Sequence, residues 1–189
     1  MSEVKLIILD RDGVINHDSD DYIKTVDEWL PIDGSIEAIA KLKSNGFTVA
    51  IATNQSGIGR GYYSVDTMQQ MHEKMAGLLK PYNANIDHIE FCPHIPNDNC
   101  DCRKPKPGMI HAIQKQFDAD LSQTYFVGDT LSDLSTADHA KTKFALVKTG
   151  KGERIIDRVL ASDAHKHIPV FNDLAHFVDD LIAQGDTLV

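Results

Sequence analysis

The chain has 189 residues, 42% hydrophobic and 25% charged, with a formal net charge of −9; that length suits one domain spanning residues 1–189 with a full core. The acidic balance offers no basic stripe to displace counterions, so a nucleic-acid partner is not expected. No apolar run approaches membrane-spanning length and the N-terminus lacks a basic-then-apolar leader, so a cytoplasmic monomer with no membrane contact is expected.

Residues 4–9, Val-Lys-Leu-Ile-Ile-Leu, form an apolar, β-branched run that predicts a buried strand. It leads into Asp10-Arg11-Asp12-Gly13-Val14. Two carboxylates two residues apart on a pleated strand share a face and repel. A divalent cation removes that conflict, as does a reaction that uses one carboxylate as nucleophile and the other as proton carrier. Gly13 lets the chain turn sharply. Residues 16–33 are irregular and acidic, too polar for core, with Trp29 read as the pin that ties this flap down. The spacing of Ile36, Ile39, Ala40 and Leu42 predicts a helix over 35–45 that stops at Gly46.

Residues 47–53 read as a second buried strand and 54–61 as a glycine-rich loop. A helix follows over 64–79, a third strand over 86–91, then a loop over 92–107 rich in Pro, Asn, Asp and Cys. A helix over 108–117, a strand over 124–127 and a helix over 132–140 come next, with Gly128-Asp129 at the junction. A strand over 144–148, the turn Gly150-Lys151-Gly152, helices over 153–160 and 172–183 and a short strand over 169–171 complete the chain. Such alternation predicts an α/β, Rossmann-like parallel sheet with helices on both faces, its ligand at the carboxyl ends of the strands.

Those ends carry the chemistry. Asp10, Asp12 and Asp129 bring three carboxylates from two strand ends, a set suited to Mg²⁺ beside a phosphate. Thr53-Asn54-Gln55-Ser56-Gly57 offers a hydroxyl and backbone N–H groups to phosphoryl oxygens. Lys104 can neutralise a transferring phosphoryl group, while Arg103 can grip a second phosphate, with Arg60 as a helper. Asp133, one helical turn beyond Asp129, can orient Lys104 or the waters of the metal. Cys92, His94, Cys100 and Cys102 hold all three cysteines of the chain and make a Cys₃His zinc site, structural because protein fills every position. A disulfide framework is not expected from three cysteines so placed. The eight other histidines, His72 among them, read as surface or satisfied core residues.

Taken together, Asp10-Arg11-Asp12-Gly13-Val14, Thr53, Lys104 and Gly128-Asp129 with Asp133 resemble the haloacid dehalogenase-like phosphatases. The resemblance implies that Asp10 attacks phosphorus, that Asp12 protonates the leaving oxygen and then activates water, and that Asp10, the Asp12 carbonyl and Asp129 hold Mg²⁺. The gaps between motifs leave no room for a large cap domain. The cysteine loop and the run from Thr53 to Gly61 resemble the branch holding the heptose bisphosphate and histidinol-phosphate phosphatases. This implies a small sugar bisphosphate as substrate, a heptose 1,7-bisphosphate losing its 7-phosphate in making lipopolysaccharide core precursors, with histidinol phosphate as the alternative. Asp18 and Tyr22 fall where the flap of that branch touches substrate. A binding module without catalysis would need a broken Asp10, Asp12 or Lys104, and all three are present.

Overall fold

The computed structural model describes residues 4–185. Six strands form one parallel sheet: β1 (Leu6–Leu9), β2 (Thr48–Asn54), β3 (His88–Cys92), β4 (Tyr125–Gly128), β5 (Lys143–Val147) and β6 (Val170–Phe171). Their spatial order is β3-β2-β1-β4-β5-β6, so the winding reverses beside β1. β1 pairs with β2 on one side (Leu9 opposite Ile51) and with β4 on the other (Leu9 opposite Val127). Ligand crevices open at such a reversal, outside the carboxyl ends of the strands.

The helices are α1 (Ser35–Ser44), α2 (Ser56–Gly59), α3 (Val65–Leu79), α4 (Gly108–Phe117), α5 (Leu131–Ala140), α6 (Gly152–Leu160) and α7 (Leu174–Ala183). Alternate side chains of β1 and β2 feed two apolar layers. Ile7, Leu9, Val49 and Ile51 pack with Ile39 and Leu42 of α1, Met71 and Met75 of α3 and Phe177 of α7. Leu6, Ile8, Ala50 and Ala52 pack with Ile110 and Ile113 of α4, Leu134 and Ala137 of α5 and Val159 of α6. Both faces of the sheet are thereby covered, which is why the strands read as continuous apolar runs.

Two expectations change. The flap over 16–33 is not wholly outside the core: Ile23, Trp29 and Ile32 are all buried, Trp29 completely. Lys74 Nζ of α3 donates to the carbonyls of Val26 and Trp29, each at 2.8 Å, so the polar residues face outward while a few apolar ones anchor. The stretch after β2 is not loop throughout but makes the helical turn α2. Its glycines serve close approach: a Cβ on Gly57 would stand 2.2 Å from the Tyr63 ring, and one on Gly59 2.6 Å from the Pro93 carbonyl.

Trp29→Ala should cost about 3–5 kcal/mol of stability, the range for truncating a large buried aromatic, read as a lower urea midpoint with an unchanged m-value.

Candidate active site

β1 ends at Leu9, and the Asp10 amide donates to the Val127 carbonyl of β4 at 2.9 Å, which carries the chain to the sheet edge before it turns. The amides of Val14, Ile15 and Asn16 all donate to the Arg11 carbonyl, at 3.3, 2.8 and 3.2 Å. Asp10 and Asp12 both line the cleft above this tight turn, and each meets its own cation. Asp10 faces a buried cation, Lys104, whose Nζ lies 2.9 Å from Asp10 Oδ1 and 2.7 Å from Asp133 Oδ1 and donates to the Ala52 carbonyl at 3.0 Å. Burial opposes the charge on Lys104, but Asp10 and Asp133 more than restore it and hold the amine protonated. Asp10 Oδ1 also accepts from the Arg11 amide at 2.7 Å. Among the described residues no hydrogen bond or ion pair falls on Asp10 Oδ2.

Lys104 is placed from both directions. Its amide donates to Asn54 Oδ1 at 3.1 Å, and Asn54 Nδ2 donates to its carbonyl at 3.2 Å, fixing the loop before α4 against the end of β2. Asp133 divides its two oxygens. Oδ2 accepts from the amides of Asp129 (3.2 Å) and Thr130 (3.0 Å) and from the Thr130 hydroxyl (2.6 Å), while Oδ1 holds the lysine. Thr130 Oγ1 in turn caps the Asp133 amide, a capping box that starts α5.

Asp10, Asp129 and Asp133 bring carboxylate oxygens within 4.8 Å of one another, all buried. Burial first, then the neighbouring carboxylates, push Asp10 up to about 7 and Asp129 up to about 8. Asp129 Oδ2 accepts from the Lys151 amide at 2.7 Å, but Oδ1 is buried with no partner. Three carboxylates facing one ammonium leave the cluster short of two positive charges, and with an orphaned oxygen it fits a divalent cation. Backbone makes the room: a Cβ on Gly13 (φ +88°) would fall 2.2 Å from Asp129 Oδ2, and one on Gly150 (φ +59°) 2.1 Å from the same atom. The Asp12 carboxylate lies outside this cluster.

Asp12 is instead surrounded by donors. Arg11 Nη2 reaches both of its oxygens at 3.0 Å, Asn16 Nδ2 reaches Oδ1 at 2.8 Å and Gln55 Nε2 reaches Oδ2 at 2.7 Å. Burial works against the charge, yet Arg11, Asn16 and Gln55 hold the carboxyl below its ordinary range. Gln55 also donates to Thr53 Oγ1 at 2.9 Å and accepts from the Tyr63 hydroxyl at 2.7 Å. His72 Nε2 lies 3.3 Å from Arg11 Nη1, and burial, with Arg11 beside it, lowers His72 to about 4, so the ring is neutral and accepts.

An open cleft of about 340 Å³ covers these groups. Asp10, Asp12, Asp18, Tyr22, Asn54, Gln55, Ser56, Arg103, Lys104 and Asp133 all line it. Thr53 is buried just beneath, and Arg60 is exposed and not part of the lining. Asp18 pairs with Lys151 Nζ at 3.0 Å, and Tyr22 stacks edge-on against Tyr62 with ring centres 5.2 Å apart. Arg103 Nη1 donates to the His94 carbonyl at 3.1 Å. Sequence reasoning did not single out Arg11, Asn16, Tyr63 or Lys151 for the site. The one available signal was Arg11 itself, a charged residue between two carboxylates at the end of a buried strand.

The cysteine loop brings its four groups together. Sulfur–sulfur distances are 3.6, 3.5 and 3.2 Å, and His94 Nδ1 lies 3.6 Å from Cys92 Sγ and 3.3 Å from Cys102 Sγ. Tetrahedral bonds of about 2.3 Å to sulfur imply sulfurs about 3.8 Å apart, so the cluster fits a four-coordinate ion after slight expansion. It adjoins Arg103 and Lys104 in sequence.

Gly13→Ala should displace the Asp129 carboxylate and weaken divalent-cation binding about 10- to 100-fold, measured by titration calorimetry with magnesium.

A family model described as HAD-hydrolase-like matches residues 101–177. A D-glycero-beta-D-manno-heptose-1,7-bisphosphate 7-phosphatase of Pseudomonas putida is 49% identical over 179 residues, covering 95% of this chain and all of that one. The Neisseria meningitidis protein of the same name is 51% identical over 174 residues, 92% of each chain. The crystal structure of D,D-heptose 1,7-bisphosphate phosphatase from B. bronchiseptica, complexed with magnesium and phosphate, superposes with a TM-score of 0.91 at 42% identity, covering 96% of this chain and 99% of that one. With identity of this order over nearly its whole length, the chain belongs to the D-glycero-beta-D-manno-heptose-1,7-bisphosphate 7-phosphatase family of haloacid dehalogenase-like hydrolases.

Proposed function

We propose that residues 1–189 act as one phosphatase domain that removes the 7-phosphate of D-glycero-beta-D-manno-heptose 1,7-bisphosphate. The observation that carries this reading is Asp10: it lines the cleft and clusters with Asp129, and Lys104 and the Arg11 amide hold only its Oδ1. Names and folds of relatives covering nearly the whole chain support the substrate. Histidinol phosphate has no such support among these relatives.

Magnesium would be held by Asp10, the Asp12 backbone carbonyl and Asp129, and when bound it neutralises phosphoryl oxygens. Asp10 Oδ2 attacks phosphorus, the bond to the sugar oxygen breaks, and Asp12 gives that oxygen its proton. Lys104 and the Thr53 hydroxyl stabilise the transferring phosphoryl group. Water then attacks the aspartyl-phosphate, loses its proton to Asp12, and frees Asp10. Asp12 is ionised in the free site, and a phosphoryl dianion beside it raises its proton affinity, so it carries a proton only when one is needed. Arg103 and Ser56 line the cleft where the remainder of the substrate would lie, and the Arg103 guanidinium, bonded to a neutral carbonyl, keeps its charge for a second phosphate. Cys92, His94, Cys100 and Cys102 would hold a structural zinc.

Asp10→Asn should keep the fold, by circular dichroism, and retain less than about one per cent of turnover, as expected for a lost covalent nucleophile. Protein purified under reducing conditions should carry one equivalent of zinc by elemental analysis; its removal should lower Tm while magnesium affinity persists. Three freely titratable thiols and no zinc would remove that site. Phosphate release should be faster from the heptose 1,7-bisphosphate than from histidinol phosphate, with the 1-phosphate retained in the product. The reverse order would overturn the substrate assignment.

A further inference from the structure

The Arg11 side chain is 1% exposed, and among the described residues the carboxylate it meets is that of the next residue, Asp12. A guanidinium taken out of water costs several kcal/mol unless its N–H groups are satisfied, and here each end has a partner from a different element. Nε and Nη2 hold Asp12, at 3.3 and 3.0 Å. Nη2 also reaches Gln55 Oε1 at 2.9 Å, after β2, and Nη1 faces His72 Nε2 at 3.3 Å and Met71 Sδ at 3.9 Å, both on α3. A buried Arg–Asp pair is a weak source of stability, since apolar residues of the same volume often do better. What it supplies is geometry: a planar donor fork with a fixed direction.

We propose that Arg11 is a positioning residue, anchored on α3 through His72 and on the β2 end through Gln55, that sets the Asp12 carboxylate for proton transfer. This rests on the reading of Asp12 given above. Over the two half-reactions Asp12 delivers one proton to the sugar oxygen and recovers one from water, so it ends as it began. Both transfers require the same carboxylate to face first the leaving oxygen and then the water at the same phosphorus. A side chain free to rotate would meet only one of these demands well. Asn16 and Gln55 steady the carboxylate from its other edges, each through one oxygen, whereas Arg11 contacts both. His72 plays a correspondingly smaller part, its neutral ring accepting from Arg11 and fixing the rotation of the fork.

The test is leaving-group dependence. Initial rates are measured on a series of alkyl and aryl phosphates for wild type, Asp12→Ala, Arg11→Met, His72→Leu and His72→Gln. A lost or misaligned acid penalises poor leaving groups most. Asp12→Ala should widen the aryl-to-alkyl ratio of kcat about 100-fold, Arg11→Met about 10- to 100-fold and His72→Leu about 3- to 10-fold, within the span general acid catalysis contributes. His72→Gln, which keeps an acceptor near the same place, should return the ratio to within about two-fold of wild type. Magnesium affinity should hold throughout, because neither Arg11 nor His72 carries a side chain in the Asp129 pocket. If Asp12→Ala slows all esters equally, the role given to Asp12 fails and this inference with it. If Asp12→Ala is selective but Arg11→Met and His72→Leu slow all esters equally, only the inference about Arg11 fails. Because Arg11→Met leaves a carboxylate unpaired and can compromise folding, the two His72 variants carry the decision on their own: selectivity in His72→Leu that His72→Gln does not repair overturns the assignment.

Discussion

Four carboxylates crowd the carboxyl ends of β1 and β4, and two buried cations meet them. Asp10, Asp12, Asp129 and Asp133 come from two strand ends and a helix start; Arg11 and Lys104 are the buried positive charges facing them. Everything else at this end of the sheet follows from that imbalance. Lys104 is fixed by Asn54 at its backbone because a cation between two carboxylates must not drift. Asp133 serves a helix cap and a lysine at once. Asp129 is left with an unsatisfied oxygen, and the glycines beside it keep the backbone out of its way. Charge balance here calls for a divalent ion, and an ion that binds only the folded chain adds to stability in proportion to how tightly it is held.

The division of labour between the two cations is equally physical. In the proposed mechanism Lys104 exchanges charge with a passing substrate; an ammonium on a flexible stem can shift from Asp10 to a phosphoryl oxygen without losing all its bonds. Arg11 sits where nothing should move, and a fork is the better shape for that. Exchanging the two residue types would give each position the wrong mechanics, although the charge would be unchanged.

The strands and the alternation with helices were legible because β1, β2, β4 and β5 are largely buried and their sequences largely apolar; β3, at the sheet edge, is only partly buried and carries His88 and Glu90. The carboxylates and the cysteine cluster were legible too, since charged and metal-ligating residues at the ends of buried strands rarely serve packing alone. Less legible were groups whose position depends on partners distant in sequence. His72 lies 61 residues from Arg11, and no local spacing reveals that its ring faces the turn after β1. Lys151 reads as part of a glycine turn, yet its amide holds Asp129 and its amine reaches Asp18 of the flap. Asn54 and Gln55 read as substrate contacts, but much of their hydrogen-bonding capacity is taken by Lys104, Asp12, Thr53, Arg11 and Tyr63. A polar residue at a strand end announces the site without saying whether it faces the ligand or the protein. Trp29 was legible as the pin of the flap; what its acidic neighbours concealed is that Ile23 and Ile32 are buried as well.

The double use of Asp133 has a consequence for how this protein loses its arrangement. The same carboxylate closes the first turn of α5 and holds the amine of Lys104. If that helix end frays, the lysine loses one of its two carboxylates in the same event, so the two losses share one free energy. Amide exchange at the start of α5 thus reports on a contact made by a side chain from a distant loop.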